Sequence, residues 1–588
     1  MKRSTKIIGA LLVLFLFTSA MGSLFFYVFL FDPEPTIPQG SYLVLEPGGL
    51  LSEAPSLGDP LADALGQIST RGIIEFDSAM RKAAIDDRIA GVIMRIEPMG
   101  CSLGKVQELR GAVARYREAT DKPIVAYLET AGNKEYYLAS ACSEVYMAPE
   151  GMMFFIGLRF GVTFFKGALE KLGVDAQFAR IGQYKSAVEP FTREEMSDSF
   201  REMLESLADD LFDDMLTDIA ADREMPLDSL RAIVDDPPLT AGHALEVGLV
   251  DELVYRDELE AQFKQADEEE WSLVSMDTYA QVPPASLGLG DGPEIAVIYC
   301  EGAIMSGESA PPYYGGDQTM GSATITRVLR QARKDEDIEA VVMRVDSPGG
   351  SGLASDLIWR EVELTSAEKP VVVSMSDYAA SGGYYISMGA DAIIAQPGTL
   401  TGSIGVYTGK FSLGGLFDKV GLSVETVERG EYAGLMSPSE PFSEAEQGKI
   451  EGMIESFYDT FIEKAAEGRQ RDPSEVDRIA RGRVWTGRQA LGVGLVDELG
   501  GFRTALDRAK ELAGIDAEKE VTLVILPEQR TMLQELLDPD DSPSSALRPP
   551  TELLLPGFGE VLGPLMARLS VLDAGGPVAM LPYLLTVD

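Results

Sequence analysis

Apolar and polar positions along this chain separate into one long uncharged block, short β-branched runs and amphipathic stretches. The block spans residues 7–31, follows Lys2, Arg3 and Lys6, and ends at Asp32-Pro33-Glu34-Pro35. It is long enough to cross a bilayer. Positive charge before it and acidic charge after it predict a cytoplasmic terminus at 1–6, a transmembrane signal anchor at 7–31, and export of everything beyond. A cleaved signal peptide is the competing reading, since Thr18-Ser19-Ala20 offers small residues for cleavage. The apolar run continues past that point through Leu24, Phe25, Phe26 and Phe29, which favours an uncleaved anchor.

Beyond the anchor, residues 91–96, 124–128, 340–345 and 371–375 read as buried strands, and 200–221 and 443–467 as amphipathic helices. Strands alternating with helices predict an α/β fold with a mostly parallel sheet. The pattern also recurs. Residues 86–95 are echoed by 335–344, Lys122-Pro123-Ile124-Val125 by Lys369-Pro370-Val371-Val372, and Tyr136-Tyr137 by Tyr384-Tyr385. Gly248-Leu249-Val250-Asp251-Glu252-Leu253 returns unchanged at 494–499. The offsets are 249, 247, 248 and 246, too constant for chance, so the chain holds two homologous halves. We place them at 40–258 and 293–512, joined by a polar and then Pro/Gly-rich linker at 259–292. The repeat ends there, and the extension at 513–588 has no assignable role from sequence. Its apolar tail is too broken by Pro and Gly for a second span.

Composition narrows the chemistry. The 588 residues carry 50 basic and 94 acidic side chains, a net charge of −44, which argues against nucleic acid as a partner. Three cysteines (Cys101, Cys142, Cys300) are too few and scattered for a disulfide framework or zinc site. A single histidine, His243, leaves little for a metal centre, so no metal or cofactor is expected, and it limits any Ser-His-Asp triad to one residue.

Comparing the two halves exposes candidate chemistry. In the second half, Asp346-Ser347-Pro348-Gly349-Gly350-Ser351 follows a strand, and adjacent glycines there can turn free N–H groups toward an oxyanion. The first half has lost one glycine of the pair, at Met99-Gly100. Ala380-Ser381-Gly382-Gly383 places a serine at a strand-to-helix junction, whereas the first half has Asn133. Thr401-Gly402-Ser403-Ile404-Gly405 faces Phe154-Phe155-Ile156-Gly157, which lacks the hydroxyls. The first half shows one gain, Lys185 in Gln183-Tyr184-Lys185-Ser186, opposite Ala433. A turn, a helix-capping serine and a surface lysine are the ordinary readings of these residues taken singly. Together, a serine in one copy and a lysine in the other point to one composite site. Lysine serves as a base only when neutral, which needs burial or nearby positive charge to lower its pKa from about 10.4. His243, the other possible base, sits at a helix-start position where the second half has Arg488 or Gln489.

Ser347-Pro348-Gly349-Gly350-Ser351, Ala380-Ser381-Gly382-Gly383-Tyr384, Leu400-Thr401-Gly402-Ser403-Ile404-Gly405 and Tyr184-Lys185-Ser186-Ala187-Val188-Glu189-Pro190 closely resemble the long, tandem-duplicated form of the bacterial signal peptide peptidase A family. The resemblance covers roughly residues 5–510. It implies two tandem Clp/crotonase-like domains behind one N-terminal transmembrane helix, and a Ser–Lys protease of the inner membrane facing the periplasm. Its implied substrates are the hydrophobic signal peptides left after preprotein cleavage, and its implied assembly is a homotetramer. Ser381 would be the nucleophile, Lys185 the general base and Ser403 the residue orienting the lysine. Amides of Gly350 and Gly382 would form the oxyanion hole, with Gly349 the alternative to Gly350.

Two other functions compete. A crotonase-like acyl-CoA enzyme also holds an oxyanion on paired amides, but export and the lack of a basic cluster for nucleotide phosphates oppose it. An inactive membrane scaffold is the second, opposed by the retained Ser381, Lys185 and Ser403.

Overall fold

The computed structural model describes residues 35–55, 71–263, 272–310, 318–527 and 577–580. The cytoplasmic terminus and anchor expected at 1–31 lie outside them. Among the described residues no helix is long and apolar enough to cross a membrane.

The apolar runs form strands buried on both faces, as parallel sheets require. In the first half, Ser41–Leu45, Ile89–Arg95, Ile124–Ala131 and Glu144–Met153 pair in parallel as neighbours. Leu273–Ser275 adds a parallel edge strand beside Ser41–Leu45. That strand comes from the stretch expected to be linker, so part of 259–292 is built into the first domain. In the second half, Glu294–Glu301, Ile338–Ser347, Val371–Ala380 and Leu400–Gly402 repeat the arrangement. Its far edge is Thr522–Leu526, drawn from the extension beyond 512.

The expected amphipathic helices appear as Asp198–Asp222 and Glu444–Gly468. Ser197 and Ser443 cap them, each accepting a hydrogen bond from the amide three residues on. A large hydrophobic core lies under each half beside a smaller cluster, and the first continues across the junction to Ala380, Leu400 and Val484 of the second.

A third, mixed sheet joins the halves. Its order is Thr319–Gly321, Ala303–Met305, Gly349–Ser351, Val578–Met580, Val406–Ser412 and Asp175–Ile181. Asp175–Ile181 of the first half pairs antiparallel with Val406–Ser412 of the second along its whole length. Val578–Met580 shows what part of the extension does: it lies antiparallel between Gly349–Ser351 and Val406–Ser412.

Buried charge fixes the halves against each other. Arg344, fully buried, donates to Glu53 Oε2 at 2.6 Å and Glu108 Oε2 at 3.0 Å across the interface. Burial alone would raise the pKa of Glu53, but Arg344 and Lys105 beside it outweigh that and hold its carboxyl at about 2. The amides of Ser102 and Lys105 both donate to Asp377, each at 2.8 Å. A displaced interface would strand these charges without partners, so the relative placement of the halves is tightly specified.

Candidate active site

Ser381 ends the central strand Val371–Ala380 and caps the helix Gly382–Ser387. Its backbone sits at φ 56, ψ −108, a conformation that costs a non-glycine residue about 1–3 kcal/mol. The surroundings impose it: Ser381 N–H donates to Gly402 O and its carbonyl accepts from Tyr385 N–H, both at 2.8 Å. Gly383 allows the helix to start this close, because a Cβ there would lie 2.6 Å from Ser347 O.

Lys185 arrives from the other half, in the turn after Asp175–Ile181. Its Nζ lies 2.7 Å from Ser381 Oγ, 2.9 Å from Ser403 Oγ and 3.0 Å from Ser403 O. Lys185, Ser381 and Ser403 are all fully buried. Burial is the one cause acting on the lysine, and it lowers the pKa of Lys185 well below its ordinary value. No carboxylate restores the charge. Ser403, at φ 51, is held by its amide donating to Arg483 O at 2.7 Å.

Gly350 packs so closely on Ile304 that a Cβ would lie 2.1 Å from Ile304 O. The Gly349 amide donates to Ser347 Oγ at 3.2 Å. Gly352 N–H donates to Pro577 O at 3.0 Å. Antiparallel ladders alternate bonded and non-bonded pairs, so Gly350 and Ala579 form the next bonded pair. The Gly350 amide therefore faces the slot filled by Val578–Met580. Gly382 follows Ser381 at the first position of its helix. His243 stands apart on the helix Ala241–Glu246, with its amide donating to Thr240 Oγ1, and takes no part in the bonds around Ser381.

Three supports did not stand out in the sequence. Gly482 lets the second half close on the lysine backbone: a Cβ there would lie 2.4 Å from Lys185 N and 2.6 Å from Lys185 Cα. Gly182 does the same in reverse against Arg481, and Tyr184 N–H donates to Arg481 O at 3.0 Å. Arg180 also donates to Lys185 O at 3.0 Å and to buried Glu189 at 2.8 Å. The repeat held a signal for Gly482, since the first half has acidic Asp235-Asp236 where the second has Arg481-Gly482. The glycine and the lysine it touches are each present in one copy only.

The family model described as Peptidase family S49 matches residues 117–270 and again 363–516. "Serine protease SPPA, chloroplastic" of Arabidopsis thaliana is 38% identical over 491 residues, covering 80% of this chain and 72% of that protein. "Protease 4" of Haemophilus influenzae is 35% identical, covering 77% of this chain and 75% of its own length. "Protease 4" of Salmonella typhi is 34% identical, covering 84% and 82%.

Proposed function

The chain belongs to peptidase family S49 as a tandem-duplicated serine protease, and from that premise we propose that Ser381 is its nucleophile and Lys185 its general base. The observation carrying the assignment is the 2.7 Å contact between Lys185 Nζ and Ser381 Oγ, made by an amine that burial drives toward its neutral form. A neutral amine has two N–H groups and one lone pair. The two contacts to Ser403 use the N–H groups, which leaves the lone pair for the Ser381 hydroxyl. Ser403 thus orients the base.

Ser381 Oγ adds to the substrate carbonyl carbon as Lys185 takes its proton. The developing oxyanion is held by the N–H groups of Gly350 and Gly382. When the C–N bond breaks, Lys185 returns the proton to the departing amine and the acyl group stays on Ser381 as an ester. Water, deprotonated by Lys185, then hydrolyses that ester and restores the enzyme.

The substrate binds as an extended strand between Gly349–Ser351 and Val406–Ser412, the slot in which Val578–Met580 lies. Ala187, Val188 and Tyr407 line it, packing against Val578 and Met580, which suits apolar side chains. With the anchor expected at 7–31, this favours hydrophobic peptides at a membrane surface, cleaved signal peptides foremost. The catalytic domains would face the periplasm from a bacterial inner membrane, and the working unit would be a homotetramer.

The test is cleavage of a hydrophobic signal-peptide-like substrate by the full chain, with fluorophosphonate labelling of Ser381 in parallel. Ser381→Ala and Lys185→Ala should each abolish cleavage with the fold intact. Cleavage that survives Lys185→Ala and disappears in His243→Ala would overturn the dyad.

A further inference from the structure

The two strands that lead to the glycine loop and to the nucleophile fall out of step just before the site. Val345 pairs with Met375 and Ser347 with Ala379, so Asp346 alone faces Ser376, Asp377 and Tyr378. A bulge of this kind interrupts the ladder, bends its strand and re-aims whatever follows. Here Ser381 follows three residues after Tyr378, and Gly350 four residues after Asp346.

The first half supplies most of the groups that hold the bulge. Asp377 accepts from the amides of Ser102 and Lys105, and Ser102 Oγ lies 2.8 Å from the Tyr378 hydroxyl. The Ser376 hydroxyl donates to Glu53. Within the second half, Tyr378 N–H donates to Asp346 Oδ1 at 3.0 Å. Lys105 ties these pieces together: its Nζ lies 2.7 Å from Asp346 Oδ2 and 3.3 Å from Glu53 Oε1. Burial alone would lower the pKa of Lys105, but Asp346, Glu53 and Asp377 outweigh that and hold it well above the ordinary lysine value. It is therefore a buried cation, the opposite of Lys185. Backbone contact is equally close, since a Cβ on Gly104 would lie 2.8 Å from Ser376 O and 3.1 Å from Asp377 Cα.

At the offset of 249 that relates Arg95 to Arg344, Ser102-Leu103-Gly104-Lys105 is the counterpart of Ser351-Gly352-Leu353-Ala354. The first half's copy of the segment ending the glycine loop thus grips the catalytic strand of the second, through a lysine whose counterpart is alanine. We infer, on the reading of Ser381 as the nucleophile, that Lys105 is a positioning residue: by holding Asp346 and Glu53 about the bulge Ser376–Tyr378, it sets the distance between Ser381 Oγ and the Gly350 amide. That amide meets full negative charge only in the transition state, so its displacement lowers kcat and leaves KM little changed. A residue that only stabilised the fold would lower Tm and leave the kcat of folded enzyme as it was.

The test is steady-state cleavage of a hydrophobic peptide by the full chain in detergent, at a temperature where circular dichroism shows each variant folded. Lys105→Met removes the cation, and Gly104→Ala pushes on the bulge while removing no charge and suiting the helix better than glycine. Each should lose about 10²-fold in kcat, with KM within about twofold of wild type, and should label more slowly with a fluorophosphonate. Wild-type kcat in Gly104→Ala, or in folded Lys105→Met, beside an inactive Ser381→Ala would overturn the inference alone. A Ser381→Ala variant that still cleaves would overturn the nucleophile reading and this inference with it.

Discussion

Replacing Gly482 by alanine adds one methyl group that never touches substrate, and it should nearly silence the enzyme. The new Cβ would lie 2.4 Å from Lys185 N, 2.6 Å from Lys185 Cα and 2.6 Å from Lys185 Cβ. Ordinary carbon contacts begin near about 3.5 Å, so the two segments must part by about 1 Å. Gly482 also sits at φ +81, where a side chain adds roughly 1–2 kcal/mol of strain. Overpacking of this kind costs about 1–3 kcal/mol in stability, which a protein with two large cores survives. Catalysis is less tolerant. A 1 Å retreat stretches the 2.7 Å Lys185–Ser381 contact beyond hydrogen-bond length, and displacements of that size cost about 10²-fold in rate. The assay is kcat/KM on a hydrophobic peptide beside a thermal melt. Gly482→Ala should lose about 10²-fold in kcat/KM while its Tm falls by only a few degrees. Activity within threefold of wild type would refute the claim that this glycine sets the position of the base.

The pH profile follows from the same burial. Lys185 has a pKa below the ordinary lysine value, and its working form is neutral, so kcat/KM should rise with pH through that lowered pKa and fall in acid; a flat profile would count against it. The same depression means the unfolded chain binds a proton that the folded chain refuses. Between the folded and unfolded pKa values stability therefore rises with pH, and Lys185→Met should raise the melting temperature there. Ending the chain before Pro577, or introducing Val578→Asp, should empty the strand slot and lower KM for peptide with kcat little changed, measured by steady-state kinetics. Arg344→Leu leaves Glu53 and Glu108 buried beside an apolar group, and should cost about 3–5 kcal/mol in chemical denaturation.

Duplication was legible because two copies of a fold leave the same hydrophobic rhythm twice, and a strand buried on both faces reads as an unbroken β-branched run. Ser381 and Lys185 were legible for a related reason: each stands where its counterpart, Asn133 or Ala433, has different chemistry. The supports were harder to see. Gly482 matters because of which backbone approaches it, and that backbone lies almost three hundred residues earlier in the chain.

By itself, then, the sequence determined the α/β class, the two halves and the candidate chemistry, since these rest on local periodicity and on comparison between positions at fixed offset. Only the tertiary structure decided that the serine and lysine meet, at what distance, and that the amine is fully buried where they do. It alone shows that the Gly349 amide is engaged by the Ser347 hydroxyl, because which group reaches an amide depends on how the loop folds. It also gave the extension places in the fold, as the edge strand Thr522–Leu526 and as Val578–Met580 beside the glycine loop. Strand pairing between distant segments is a property of register and burial, and neither is written at any single position in the chain.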